Sequence, residues 1–472
     1  MEENKNSMPK RLYRSILKLE QWLRTWLDVD GGFHGFVVHF GHLKRMFRIH
    51  DDAFAQAPII LGYLNIYKRT LDNFWLHMAL MAADNLLRRF DYSTGEYQYA
   101  GFESHISKSL IACAYADIAL LDVAKIIMRK NPNKARMYIK TARKNIDLYL
   151  IDKLWNPDEG AFTQSKFDVY SLRRRHIANM NSVAAEALIK LSELINDDTY
   201  IYSYAIPAGE FVIKSQILSE DRRFGGIRYS DTHPQKIPTL YTAYAMMGLD
   251  DLFLKVQERK FLTALENAAK FLISHIDPHT NLFFRGYIGR DLYPYPQLIA
   301  GAGIIIKMLK RVEELCDGKY LPIKTLDTIL SWQYINGAFP NSVGYAYMNR
   351  KELVKDIKIV WEDAVPVVGW NGYLYEALTS ILPKGIKFYS RPIVRPDLEI
   401  DGDNFIYKER MNSAIIYHKL NFFGFKLKIP KYYCNKKSEY GIGVFPRKWY
   451  KDLRMRYLLI KKKIKLLSCK NR

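Results

Sequence analysis

The chain has 472 residues and a formal net charge of +22, with 49% hydrophobic and 25% charged residues. These proportions are those of ordinary globular proteins, and a chain this long buries a large core without disulfides. No run of about 18 apolar residues occurs, which excludes a helix that spans a membrane. The N-terminus has no apolar stretch of the secretory kind. Cys113, Cys316, Cys434 and Cys469 show no C-x-x-C spacing and read as free thiols of a reducing compartment. A cytoplasmic protein is expected.

From the N-terminus onward, six short segments resemble one another: 26–33 (WLDVDGGF), 90–97 (FDYSTGEY), 155–162 (WNPDEGAF), 221–227 (DRRFGGI), 277–283 (DPHTNLF) and 332–339 (WQYINGAF). Most place an aromatic or acidic residue before a glycine and an aromatic after it. Glycine supplies the positive φ of a tight turn, and a nearby acid or asparagine caps it. Asn281 takes the glycine position in the fifth copy, as the next best residue for a left-handed conformation. With anchors at Gly32, Gly95, Gly160, Gly225, Asn281 and Gly337, the period is 56 to 65 residues, enough for two helices and two loops.

After each turn comes a polar stretch and then a helical segment rich in small and apolar residues: 53–64, 107–121, 181–194, 239–249, 297–309 and 367–382. Several are apolar all round, as buried inner helices are. The segments before the turns, such as 134–149 and 256–273, carry one apolar stripe among many charges, as outer helices do. This alternation, with Gly-aromatic turns, resembles the (α/α)6 toroid of the six-hairpin glycosidase superfamily over residues 10–383. The resemblance implies an all-α ring of six helical hairpins. Its turns and inner-helix N-termini would open onto one central funnel, where glycoside hydrolases, sugar epimerases and polysaccharide lyases hold their substrates.

In such a ring the residues between each turn and its inner helix line the funnel. Two acidic pairs fall there, Asp51-Asp52 before the first inner helix and Glu362-Asp363 before the last. Ring closure makes those two hairpins neighbours. Hydrolysis of a glycosidic bond needs one carboxylic acid to protonate the leaving oxygen and a second carboxylate as base or nucleophile. Trp361 would bury Glu362 and raise its pKa, which suits the general acid. Helix capping is the competing reading for all four acids. Substrate-binding residues expected at the same phase are Gln56, His105, Arg175, His176, Asn181, His233, Gln235, Tyr295, Gln297, Trp361, Trp370 and Asn371. The basic run 173–176 (RRRH) would hold a carboxylate or phosphate, or be a solvated loop. The histidines near residue 40 match no metal-ligand spacing. No metal and no cofactor is expected.

From about residue 384 the pattern turns to β: 404–408, 414–418 and 422–429 alternate or are β-rich. The stretch 450–467 reads as a helix with an apolar side. Residues 447–472 hold eleven Lys or Arg against the single acid Asp452. Such a segment binds an anionic membrane surface or is simply solvated; no nucleic-acid module accompanies it. The sequence therefore points to a cytoplasmic carbohydrate-active enzyme, peripheral at the membrane through its tail. The leading activity is hydrolysis of an anionic or lipid-linked saccharide. A uronate lyase or sugar epimerase using His176, arginine and tyrosine is the second reading, and a non-catalytic glycan-binding or membrane-associated scaffold the third.

Overall fold

The computed structural model describes residues 7–27, 31–33, 35–38, 47–50, 53–97, 109–165, 175–364 and 366–383, and four strands within 397–431; at 35–54, 361–362 and 397–431 it describes the backbone alone. In chain order the ring helices are α1 (Ser7–Arg24), α2 (Ala53–Thr70), α3 (Asn73–Arg88), α4 (Leu110–Ile127), α5 (Pro132–Asn145), α6 (Ala178–Ile195), α7 (Ile206–Lys214), α8 (Thr239–Val256), α9 (Arg259–Ser274), α10 (Gly303–Leu315), α11 (Ile323–Ser331) and α12 (Val368–Ile381). The even-numbered helices are inner and the odd-numbered outer. In α4 the buried set runs from Leu110 to Ala124 with Asp122 alone left out, and then takes Ile127, so it has no solvent face. In α9 the buried residues are Phe261, Ala264, Leu265, Ala268, Ala269, Phe271 and Leu272. That is a single stripe at helical spacing, which buries one face and leaves the other to water.

The turns behave as the repeat predicts, with one shift of register. Positive φ occurs at Gly31, Gly95, Gly160, Gly225, Asn281 and Gly337. The first anchor is thus Gly31, not Gly32: of two adjacent glycines, the one against the neighbouring backbone takes the strained position. A Cβ on Gly31 would lie 2.4 Å from Met81 O of α3, on Gly225 1.9 Å from Asn267 O of α9, and on Gly337 2.0 Å from Lys18 O of α1. Each turn therefore rests on the outer helix of the next hairpin, and the sixth rests on the first. That last contact closes the ring, together with the packing of α12 against α2 and α1.

A second chain of contacts places all these features on one rim. The first N–H groups of a helix have no partner inside it. Here Leu110 N donates to Gln164 O (2.8 Å), Ala178 N to Tyr229 O (3.1 Å), Thr239 N to Arg285 O (3.1 Å) and, just before α10, Ile299 N to Asn341 O (3.0 Å). Each acceptor lies two residues beyond the next hairpin's turn. The N-terminal end of each of these inner helices is thus tied to the following turn.

Short strands decorate this rim. Lys236–Pro238, Gly286–Ile288 and Asp291–Tyr293 form an antiparallel three-stranded sheet. Gly286 (φ +133) allows its close approach, since a Cβ there would lie 2.2 Å from Ile237 O. Beyond the ring, two antiparallel hairpins pair Asp397–Asp401 with Asn404–Lys408 and Ile416–Phe422 with Phe425–Lys431. The β-rich appendage therefore has strands where alternation predicts them, displaced by two to four residues at 414–418 and 422–429. Residues 447–472, and with them the expected basic helix, lie outside the described residues. Among the described residues no helix is long and apolar enough to cross a membrane.

Candidate functional site

Several polar residues expected to meet substrate are instead committed to the turns. In α6 and α12 the fourth residue is an asparagine. Asn181 accepts from Phe162 N (2.6 Å) and donates to Phe162 O (2.9 Å) and Ile177 O (3.1 Å). Asn371 does the same with Phe339 N (2.8 Å), Phe339 O and Val367 O (both 3.0 Å). The fourth residue of α8, Thr242, accepts from Ile227 N at 3.1 Å. Gln297 donates to Asp277 Oδ2 (2.7 Å) and accepts from Thr280 (2.8 Å), and Gln56 donates to Asn85 Oδ1 (2.9 Å). Asn181, Thr242, Gln297 and Asn371 hold turns three to six to their own hairpins, and Gln56 ties α2 to α3. All but the threonine were expected at the substrate, and the clamp accounts for them without one.

Asp363 is fully buried. Its Oδ1 accepts from Ser342 Oγ (2.8 Å) and Tyr345 N (2.9 Å), and its Oδ2 from Val360 N (3.1 Å). A carboxylate so placed organises its loop, which explains the residue without catalysis. It also fixes the helical turn Trp361–Ala364 against Tyr345. The side chains of Trp361 and Glu362 lie outside the described set, as do Asp51, Asp52 and His105. His176 is buried, with Nδ1 2.6 Å from Asp231 Oδ2 and Nε2 3.3 Å from Asn156 Nδ2. The carboxylate accepts from Nδ1–H and the amide donates to Nε2, so both ring nitrogens are occupied. Against the opposing effect of burial, the hydrogen bonds from His176 lower the Asp231 pKa. Arg175 donates to Gln164 Oε1 (3.2 Å). Gln235 is exposed, with its carbonyl accepting from Gly289 N (2.8 Å). Tyr295 is buried, its hydroxyl between the N–H (3.1 Å) and carbonyl (3.4 Å) of Val354.

What the rim does present is an aromatic wall around one arginine. The third residues of α6, α8 and α12 are Met180, Tyr241 and Trp370, one place before each clamp, and all three are half-buried. Tyr241 stacks on Tyr229, with centroids 5.2 Å apart at 25°, and His233 lies beside Tyr229 at 6.4 Å. Burial, reinforced by Tyr229 and opposed by Arg285, pushes the Tyr241 phenol up to about 12. It is therefore a hydrogen-bond donor at neutral pH. Slight burial, with Lys236 and Arg175 nearby, lowers the His233 pKa, so its imidazole is neutral there. Arg285, also half-buried, feels Tyr241, Tyr345 and Tyr293 as its electrostatic neighbours.

Below the wall the axis is closed. Tyr115, Tyr244 and Tyr373 are each the sixth residue of an inner helix, in α4, α8 and α12. Their rings meet edge to face at 5.3, 5.6 and 6.2 Å. Helices two places apart in a six-membered ring touch only across its centre, so this triad is the funnel floor. Deeper still, charges from all six inner helices gather: Lys68, Asp122, Glu186, Lys190, Asp251, Lys307 and Glu376. Lys190 lies 3.2 Å from Asp122 and 3.6 Å from Glu186, and Lys307 2.6 Å from Glu376.

This fold is shared with known enzymes. The structure is similar to that of a D-mannose isomerase (14% identity, TM-score 0.59), covering 79% of this chain and 96% of that one. It is similar to an unsaturated glucuronyl hydrolase specific for heparin (14%, TM-score 0.56; 79% and 96%). A cellobiose 2-epimerase from Bacillus thermoamylovorans aligns at 13% identity and TM-score 0.60, over 79% and 99%. The chain has the (α/α)6-toroid fold. No family model matches it and no curated protein does at the sequence level. Among the described residues no cluster of metal-ligating side chains occurs.

Proposed function

We propose that the chain is a carbohydrate-active enzyme that takes a saccharide into the funnel mouth. The observation that carries this reading is the half-buried group of Tyr241, Tyr293 and Tyr345 around Arg285, with Tyr229 stacked on Tyr241. Flat rings with polar edges stack on sugar faces while their hydroxyls meet sugar hydroxyls, and a concave apolar site with a few convergent polar groups is the form of a ligand pocket. The enzymes of like fold act on sugars, which supports the same reading.

Hydrolysis is the leading activity, with Glu362 as general acid and Asp51 or Asp52 as the second carboxylate. Two placements support it. Glu362 sits in the turn that Asp363 ties to Tyr345, beside the wall. Gly369 of α12 also abuts Ala55 of α2, with its Cβ position 3.5 Å from the alanine's Cβ, so the helices that follow the two acidic pairs start side by side. Glu362→Gln keeps the shape and removes the titrating proton. Turnover of a saccharide bound by the wild type should fall by about 10²–10⁴-fold with binding retained. Activity within about twofold of wild type removes Glu362 from the mechanism. Binding without turnover by the wild type points to a non-catalytic receptor.

The pairing of Tyr241 with Arg285 favours a second reading, epimerase or lyase chemistry. There a guanidinium stabilises charge developing on the substrate and a tyrosine moves a proton. Incorporation of solvent deuterium at a sugar carbon, or formation of an unsaturated sugar, selects it over hydrolysis.

A further inference from the structure

Arg285 is held in place before any ligand arrives. Its carbonyl caps α8 through Thr239 N (3.1 Å), and its own N–H donates to Pro294 O (3.2 Å). The side chain donates from Nη1 to Met348 O at 2.9 Å. Among the described residues no carboxylate stands among the charges that act on it; burial lowers its pKa, and its electrostatic neighbours are Tyr241, Tyr345 and Tyr293. Elsewhere in the ring, Arg311 faces Asp250 and Glu314, Arg24 faces Glu20 and Arg223 faces Asp221, while Arg228, like Arg285, bonds only backbone carbonyls, those of Ser215 and Gln216. A partly desolvated cation without a counter-ion is destabilising. The same arrangement strengthens its attraction for an anion.

We propose that Arg285 receives a carboxylate of the saccharide, so that the substrate is a uronate-bearing glycan. The proposal rests on the saccharide reading above and adds the charge of the substrate. Nη1 is engaged by Met348 O, and a planar carboxylate matches the rest of the planar guanidinium with two parallel hydrogen bonds. One positive charge balances one carboxylate. A phosphomonoester carries about −1.5 to −2 and would be left half-compensated, since no second cation acts on Arg285 among the described residues. The aromatic wall then stacks on the ring that carries the carboxylate. In the basic run 173–176, the anion receptor expected from the sequence, Arg175 bonds Gln164 and His176 bonds Asp231.

The test is calorimetric binding of oligoglucuronate and oligogalacturonate pools, their carboxyl-reduced neutral counterparts, and a sulfated neutral oligosaccharide. The proteins are the full-length wild type, Arg285→Gln and Arg285→Lys. The wild type should bind one uronate pool roughly 10- to 100-fold tighter than its reduced form, the range of a charge-assisted hydrogen-bonded pair. Arg285→Gln should lose that preference while its melting temperature stays that of the wild type, which reports an intact fold. Arg285→Lys should keep part of it, as a point charge without the planar fork. Equal binding of uronate and reduced forms by the wild type overturns the proposal and leaves the saccharide reading standing, as does a preference that survives Arg285→Gln. A sulfated ligand that binds as tightly as the uronate overturns the carboxylate assignment. If the wild type binds no saccharide of either charge, the functional reading itself fails and the proposal with it.

Discussion

Replacing Gly337 by alanine tests ring closure at its seam. Both Gly337 (φ +97) and Gly289 (φ +65) hold left-handed backbone, and they differ in surroundings: a Cβ on Gly337 would lie 2.0 Å from Lys18 O and 2.5 Å from Lys18 C, whereas one on Gly289 meets nothing within 4 Å. Alanine at Gly289 therefore carries the conformational penalty alone, about 1–2 kcal/mol. Alanine at Gly337 carries the same penalty and must also push the turn away from α1. Overpacking of that kind costs about 1–3 kcal/mol, and backbone cannot rotate aside as a side chain does. The expected loss is about 2–5 kcal/mol for Gly337→Ala and about 1–2 for Gly289→Ala. Gly225→Ala, 1.9 Å from Asn267 O, serves as the equivalent inside the ring. Urea unfolding followed by circular dichroism measures all three, with the midpoint reporting stability while the slope stays constant. If Gly225→Ala is severe and Gly337→Ala is as mild as Gly289→Ala, the sixth turn does not bear on α1 and the ring is open there.

The clamp asparagines give a second expectation. Asn371→Ala strands the buried Phe339 N–H and should lower stability by about 1–3 kcal/mol; a loss of saccharide affinity at unchanged melting temperature would contradict the clamp role. The deep charge cluster gives a third. Burial, with Asp251 adding and Lys190 opposing, pushes Glu186 up to about 8, and burial against Lys190 pushes Asp251 up to about 6. Both carboxyls are raised above their ordinary values, so the folded protein binds protons that the unfolded chain releases. Their contribution is fully present below the ordinary carboxylate range and is lost as pH rises through about 6 and 8. The melting temperature should therefore fall between pH 5 and 9, and Glu186→Gln should flatten that slope; an unchanged slope refutes the assignment. Deleting 447–472 should leave the ring's melting temperature unchanged and weaken binding to phosphatidylserine vesicles at low salt. Equal vesicle binding with and without the tail rejects a membrane role for it.

The parts of this fold that can be read from the sequence are those where only a few residue types satisfy the backbone. Asn281 illustrates this: a left-handed position without glycine favours asparagine, and its φ is +55. Gly31 shows the limit, because two consecutive glycines carry no information on which one faces Met81 O. The inner helices are legible as continuous apolar runs. Within such runs, the charges Glu186, Lys307 and Glu376 were the signal for a buried network, since a charge with no solvent face needs partners on neighbouring helices.

The site was harder to read because a polar residue at a helix start looks the same whether it meets a ligand or a backbone. Asn181 and Asn371 differ from substrate contacts only in the direction of the amide, which the sequence does not encode. A usable signal did exist, in two positions counted from landmarks already visible. One is the residue just before each clamp, which gives Met180, Tyr241 and Trp370. The other is two places beyond each turn's last apolar residue, which gives Gln164, Tyr229, Arg285 and Asn341. There the carbonyl caps the preceding inner helix, except at Asn341, whose carbonyl accepts just before α10. In this chain these positions hold Met180, Tyr241, Trp370, Gln164, Tyr229, Arg285 and Asn341, and among the described residues no carboxylate acts on the arginine.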